Sequence, residues 1–204
     1  MIEMWDKRYA GEEYAYGTAP NNYFKGAIDK YKLEGKMLLA AEGEGRNAVY
    51  AAKSGLEVTA FDISEEGKKK ALKLAEKENV KIEYQVGDLF DLDLINEQFD
   101  SAALIFAHFT PDIVEKYHKK IAELIKPDGM LILEGFSTTH LALKKVDPDV
   151  GGPDDVEMLF SKKSIKSHFP DFKIIQLDEM KIKLKEGEFH NGIGKVVRFI
   201  GKKM

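Results

Sequence analysis

The sequence predicts a doubly wound α/β fold with a mostly parallel sheet, and three observations carry that expectation. Lys36–Ala41 and Phe99–Phe106 are continuous apolar runs, as strands covered on both faces require. Strand-like and helix-like segments alternate from residue 36 to residue 136. The first run ends in Glu42-Gly43-Glu44-Gly45, a tight turn that opens a helix, which is the shape of a nucleotide-binding corner.

The elements follow in order. Residues 1–33 are rich in aromatics and punctuated by Gly17, Pro20, Asn21 and Asn22, so a short helix, a loop and a second helix over Asn22–Lys32 are expected. These rings can cap the sheet; alternatively, Trp5, Arg8, Tyr14 and Tyr16 form a substrate-side lid that excludes water. After the first strand, Asn47–Ser54 is a helix whose Ala48, Ala51 and Ala52 allow close packing, and Gly55 ends it. Leu56–Phe61 is the second strand, stopping at Asp62. Ser64 caps a lysine-rich helix reaching Asn79, its lysines read as a solvated face. Val80–Val86 alternates apolar and polar residues, the pattern of an edge strand with one wet face, and Gly87-Asp88-Leu89 closes it. Phe99–Phe106 is the fourth strand, Pro111–Ile125 a helix with one apolar stripe, Lys126–Gly129 a turn and Met130–Phe136 the fifth strand. Beyond it come a short helix within Thr138–Asp147, a helix over Ser161–His168, and an appended antiparallel hairpin, Phe172–Leu184 and Lys195–Gly201, joined by a turn over Lys185–Gly192. The expected organisation is one domain, 1–204: a helical lid segment (1–33), a cofactor-binding core (34–136) and a substrate-side segment with the hairpin (137–204).

Composition narrows the function. With 31 basic and 35 acidic residues interleaved along the chain, the formal net charge is -4, and nucleic acid is not an implied partner. Cysteine is absent, which excludes disulfides, thiolate metal sites and cysteine nucleophiles; no metal site is expected. No apolar run approaches the roughly 18 residues of a membrane span, and the N-terminus has no signal-peptide core, so a cytoplasmic location without membrane association is expected.

Gly43-x-Gly45-x-x-Ala48 followed by Asp62 matches a dinucleotide fingerprint, and Asp62 is placed to accept hydrogen bonds from ribose hydroxyls. Charge then separates the cofactors. A pyrophosphate against this turn would meet Glu42 and Glu44, each like-charge contact costing on the order of 4 kcal/mol at ~4 Å and an effective dielectric of about 20. S-adenosylmethionine brings a sulfonium and an ammonium instead. Asp88 can accept from an adenine amino group, with Ile63 and Leu89 on either face of the ring.

Read together, Trp5-Asp6-x-Arg8-Tyr9, Tyr16-Gly17-x-x-Pro20-Asn21, Glu42–Asn47, Asp62, Gly87-Asp88, Lys126–Gly129 and Glu186-Gly187-x-x-His190-x-Gly192 resemble the class I S-adenosylmethionine-dependent methyltransferases. They are most like the small tellurite-resistance and thiol-methyltransferase-like enzymes. The resemblance spans nearly the whole chain and implies a Rossmann-like seven-stranded sheet in the order 3-2-1-4-5-7-6 with the last strand antiparallel. It departs at Leu39 and Ala41, where the family usually has an acidic residue and a glycine; Glu42 is the candidate to take over the acidic role toward the cofactor's ammonium.

The reading assigns Glu42, Gly43, Gly45, Arg46, Asp62, Ile63, Asp88, Leu89 and Phe106 to S-adenosylmethionine, which leaves as S-adenosylhomocysteine. His108, His190 and Arg198 are the catalytic candidates. The acceptor is expected to be a small molecule, a thiol or chalcogen oxyanion among the options, and the protein a monomer or homodimer. Two alternatives stay open: an NAD(P)-linked oxidoreductase on the same fold, and a non-catalytic S-adenosylmethionine-binding regulator.

Overall fold

The structure is a computed structural model and describes residues 2–94 and 97–204. Seven strands form one sheet in the order β3-β2-β1-β4-β5-β7-β6. They are β1 (Lys36–Ala40), β2 (Glu57–Asp62), β3 (Glu83–Val86), β4 (Phe99–Ile105), β5 (Ile125–Phe136), β6 (Phe172–Glu186) and β7 (His190–Lys203). All neighbouring pairs are parallel except those of β7, which runs antiparallel to both β5 and β6. The order and the antiparallel strand agree with the expectation from sequence.

Burial explains why the sheet forms here. Leu38, Leu104, Leu131 and Leu133 point to one face, against α5 (Val114–Leu124) and α7 (Lys162–His168), in a core with Phe99, Ile121 and Phe199. Met37, Leu39, Ala60 and Ile132 point to the other, against α2 (Asn22–Tyr31) and α3 (Arg46–Lys53). Ala48 and Ala51 of α3 are fully buried, so the small residues do bring that helix close to the sheet. The remaining α-helices are α1 (Ile2–Tyr9), α4 (Glu65–Lys77) and the single turn α6 (Leu141–Lys144), with two 3-10 turns, Pro148–Val150 and Val156–Met158, after it.

Several boundaries differ from the sequence reading; α5, expected from Pro111, starts at Val114 and leaves Pro111 outside its first turn. β3 starts at Glu83 rather than Val80, because the Val80 N–H closes the end of α4 on the Ala75 carbonyl. Lys126–Gly129 lies within β5 as an outward loop, the β4 register jumping from Phe99↔Ile125 to Ser101↔Met130. The hairpin is longer than predicted: β6 and β7 pair as far as Glu186↔His190, leaving only residues 187–189 as the turn. That last difference carries Glu186 and His190 to the tip of the arm, beside the carboxyl ends of the parallel strands.

Candidate functional site

The glycine turn after β1 is built by its own side chains. Ala41, where the resembling family has glycine, takes a left-handed φ of 51°, and Gly43 and Gly45 follow at 59° and 83°. Only glycine fits the latter two. A Cβ on Gly43 would lie 2.7 Å from the Tyr9 hydroxyl, and one on Gly45 2.5 Å from Ala71 Cβ of α4. Glu42 is turned into the fold, where Oε1 accepts the backbone N–H groups of Asn47 at 2.8 Å and Ala48 at 2.7 Å at the start of α3. It therefore caps a helix, and the proposed role toward a cofactor ammonium is corrected. Burial, against those hydrogen bonds, pushes its carboxyl up to about 7.

Glu44, two residues on, is the other carboxylate of the turn. It is buried; Oε1 pairs with Lys70 Nζ at 2.8 Å, and Oε2 has no hydrogen-bond partner among the described residues. Lys70 is thus an exception to the solvated lysine face: it bonds Glu44 and the Glu13 carbonyl beneath the Tyr14 ring. Around Glu44 stand tyrosines of the N-terminal segment, and its charge helps burial raise Tyr9 and Tyr14 above their ordinary values. A buried carboxylate oxygen without a donor costs free energy that a cationic ligand would recover.

Asp62 ends β2 beside the turn. Its Oδ2 accepts from Gly43 N at 2.9 Å and Oδ1 from Ser64 N at 3.0 Å, which leaves lone pairs on both oxygens for hydroxyl donors. Burial pushes this carboxyl up to about 6 despite those backbone bonds. Ile63 is half-buried next to it. Asp88 is exposed after β3, with Oδ2 taken by the Tyr117 hydroxyl at 2.5 Å and Oδ1 by Phe90 N at 3.0 Å. Leu89 points into the core under the sheet, so it does not line a ring site as expected. Phe106, at the end of β4 with φ 53°, turns its ring onto Phe136 at 4.8 Å and His190 at 4.5 Å.

The N-terminal segment and the hairpin arm pack over these strand ends. α1 lies on α4, where Asp6 Oδ1 accepts from the Ser64 hydroxyl at 2.5 Å, and Trp5 stacks on Tyr9. Arg8 donates to the Tyr16 hydroxyl at 2.9 Å and covers the Phe189 ring. The Tyr16 ring meets His190 at 4.6 Å. A buried polar network joins the arm to the core. Glu186 Oε2 pairs with Arg46 at 2.9 Å and His190 Nδ1 at 3.2 Å, while Oε1 accepts from Asn21 at 3.1 Å. Asn21 also donates to Glu134 Oε1 at 2.7 Å, and Glu134 Oε2 accepts from Arg198 at 2.5 Å.

Comparison with known proteins agrees with the fold. A family model described as a methyltransferase domain covers residues 38–129, from β1 to the loop inside β5. The chain has the α/β methyltransferase fold, and its residues 38–129 resemble that domain. The ribosomal protein L11 methyltransferase of Dictyoglomus turgidum is 33% identical over 110 residues, 53% of this chain and 35% of that protein. The ubiquinone/menaquinone biosynthesis C-methyltransferase UbiE of Geotalea daltonii is 29% identical over 160 residues, 70% of this chain and 64% of that protein. The chain thus spans less than two thirds of the length of either relative. TehB from Haemophilus influenzae shares the fold, with a TM-score of 0.73 at 23% identity over 100% of this chain and 67% of that one.

Gly43, Gly45, Arg46, Asp62 and Phe106 gather at the carboxyl ends of β1, β2 and β4, beside Trp5, Arg8, Tyr14 and Tyr16 of the N-terminal segment. The fit to a cationic nucleoside cofactor rests on Asp62 and the unpartnered Glu44 oxygen on either side of the glycine turn. Two catalytic candidates are corrected. His108 has both ring nitrogens tied to backbone, Nδ1 to the Met158 carbonyl at 2.8 Å and Nε2 to Phe136 N–H at 3.0 Å, and burial pushes it down to about 4. It braces the end of β5 as a neutral ring. Arg198 is occupied by Glu134 and the Tyr23 ring and anchors β7 to β5. Of the three, His190 is the one that meets both Tyr16 and Phe106, at 4.6 and 4.5 Å. Asn21, Glu44, Glu134 and Glu186 were not assigned to the site from sequence; a charged Glu134 inside the apolar fifth strand was the visible signal. No helix among the described residues is long and apolar enough to cross a membrane.

Proposed function

We propose that the chain is an S-adenosylmethionine-dependent methyltransferase acting on a small-molecule acceptor. The observation that carries this reading is the acidic glycine turn, where buried Glu44 presents an oxygen with no donor and Asp62 keeps lone pairs free. Carboxylates there favour a cationic ligand over a pyrophosphate, which disfavours an NAD(P)-linked oxidoreductase. When bound, S-adenosylmethionine supplies an electrophilic methyl group on a sulfonium. The protein's part is to hold donor and acceptor in line and exclude water, which α1, Tyr16 and the hairpin tip do by covering the strand ends.

Enclosure supports a small acceptor. Tyr16, Phe106 and Phe136 surround His190 with ring centroids 4.5–5.2 Å apart, a setting for a compact soft nucleophile such as a thiol or a chalcogen oxyanion rather than a protein surface. In this reading Asp62 binds the ribose, Glu44 the ammonium, and His190 stands at the acceptor. Calorimetry with S-adenosylhomocysteine tests it. Asp62→Ala is expected to weaken binding at least tenfold, about 1.4 kcal/mol, and unchanged affinity would refute the placement. A non-catalytic regulator would bind equally well yet methylate no member of an acceptor panel.

A further inference from the structure

The five histidines divide by what orients them. His108 and His140 each have both nitrogens bound to backbone, His140 through the Gly151 carbonyl at 3.0 Å and the Lys195 N–H at 3.2 Å. His118 and His168 bond each other through Nδ1 at 2.8 Å, on α5 and α7, away from the strand ends. Among the described residues His190 alone hydrogen-bonds a carboxylate, Glu186 Oε2 on its Nδ1; its Nε2, like the buried Nε2 of His118, makes no hydrogen bond there.

The surroundings decide which nitrogen carries the proton. Glu186 is held ionised by Arg46 at 2.9 Å, while Asn21 donates to its other oxygen. An ionised carboxylate only accepts, so the hydrogen between Glu186 and His190 belongs to Nδ1. Nε2 is then left as a lone pair. Gly151 borders that side of the ring, where a Cβ would stand 2.8 Å from Cδ2 and 3.4 Å from Nε2, and its φ of 76° suits glycine. The pairing Glu186↔His190 at the last rung of the hairpin, closed by Gly187 at φ 62°, fixes the two side chains on the same face.

We propose that Glu186, anchored by Arg46, is a positioning residue that locks His190 in the Nδ1–H tautomer so that Nε2 takes the proton of a protic acceptor, a thiol, hydroxyl or amine. The assignment rests on the methyltransferase reading and adds a base to it. The acceptor heteroatom's lone pair forms the new bond to the methyl carbon as the sulfonium C–S bond breaks and its electron pair stays on sulfur. The heteroatom's proton moves to Nε2, and the imidazolium is neutralised by Glu186 before it deprotonates to solvent. Glu186 from β6, Arg46 from α3, Arg8 from α1, Tyr16 from the lid loop and His108 beyond β4 are the titratable groups around the ring. Burial, Arg46 and Arg8 keep it neutral against the pull of Glu186, ready to accept.

Long-range 1H–15N correlation NMR on the full-length protein, with His190→Gln for assignment, reads the tautomer directly. The expected result is Nδ1–H in the wild type near neutral pH and a mixed or reversed tautomer in Glu186→Gln. With a protic acceptor, E186Q is expected to lose about 100-fold in kcat with KM and S-adenosylhomocysteine affinity within about threefold. An Nε2–H tautomer in the wild type, or an unaltered kcat in E186Q, overturns the assignment. A wild type that fails to bind S-adenosylhomocysteine overturns the methyltransferase reading itself, so the two failures are distinguishable.

Discussion

Glu42 and Glu44 sit two residues apart on one glycine turn, and burial gives them opposite uses. Glu42 spends its oxygens on the start of α3, and its carboxyl is pushed up to about 7. A carboxyl raised in the folded state contributes its stability below the unfolded value of about 4.5, and that contribution is lost as pH climbs through about 7. Glu42→Gln can keep the cap without the charge. Urea denaturation across that window is expected to move the difference between variant and wild type in favour of glutamine by on the order of 3 kcal/mol. A pH-independent difference would contradict it. Glu44→Gln should behave otherwise: the ligand-free protein is expected to melt lower, because the buried pair with Lys70 is lost, while S-adenosylhomocysteine affinity falls about tenfold. Equal affinity would show that no cation is received there.

The hairpin arm is the element on which lid and core depend. Gly187 adopts φ 62°, and a Cβ there would run into the Ala15 carbonyl that accepts the Glu188 N–H at 3.0 Å. Gly187→Ala is expected to cost about 3 kcal/mol, combining the left-handed penalty with the clash, and to lower Tm by about 6–10 °C. A shift below about 2 °C would mean that the tip does not clamp the lid loop. This arm also marks where sequence reading stopped. β1 and β4 were legible because strands buried on both faces must be apolar throughout, and the glycine turn because its backbone excludes other residues. Lys185–Gly192 is polar and reads as a loop. Its Glu186 and His190 are buried only because Asn21 and Arg46, more than 130 residues earlier, supply partners. Partners that distant leave no local pattern; the resemblance flagged the motif without revealing its job. Leu89 and His108 failed for the complementary reason, since chain position placed them at strand ends but not which way they face.

At the scale of the molecule, the sheet order places the switch between β1 and β4, where strands depart in opposite directions and a crevice opens at their carboxyl ends. The N-terminal segment and the C-terminal arm cross that crevice and join through Asn21, Arg46, Glu134 and Glu186. A ligand bound there contacts segments from both ends of the chain, so it should stabilise the whole fold. At a concentration about 100 times Kd, one bound S-adenosylhomocysteine adds about 2.7 kcal/mol, or roughly 5–10 °C in Tm for a domain of this size. The central claim is that the acidic glycine turn receives a sulfonium cofactor and not a dinucleotide. Titration calorimetry of the wild-type protein with S-adenosylmethionine, S-adenosylhomocysteine and NAD tests that claim most directly. Saturable binding of the first two with no heat from NAD is the predicted result; NAD binding without either S-adenosyl compound would contradict the account.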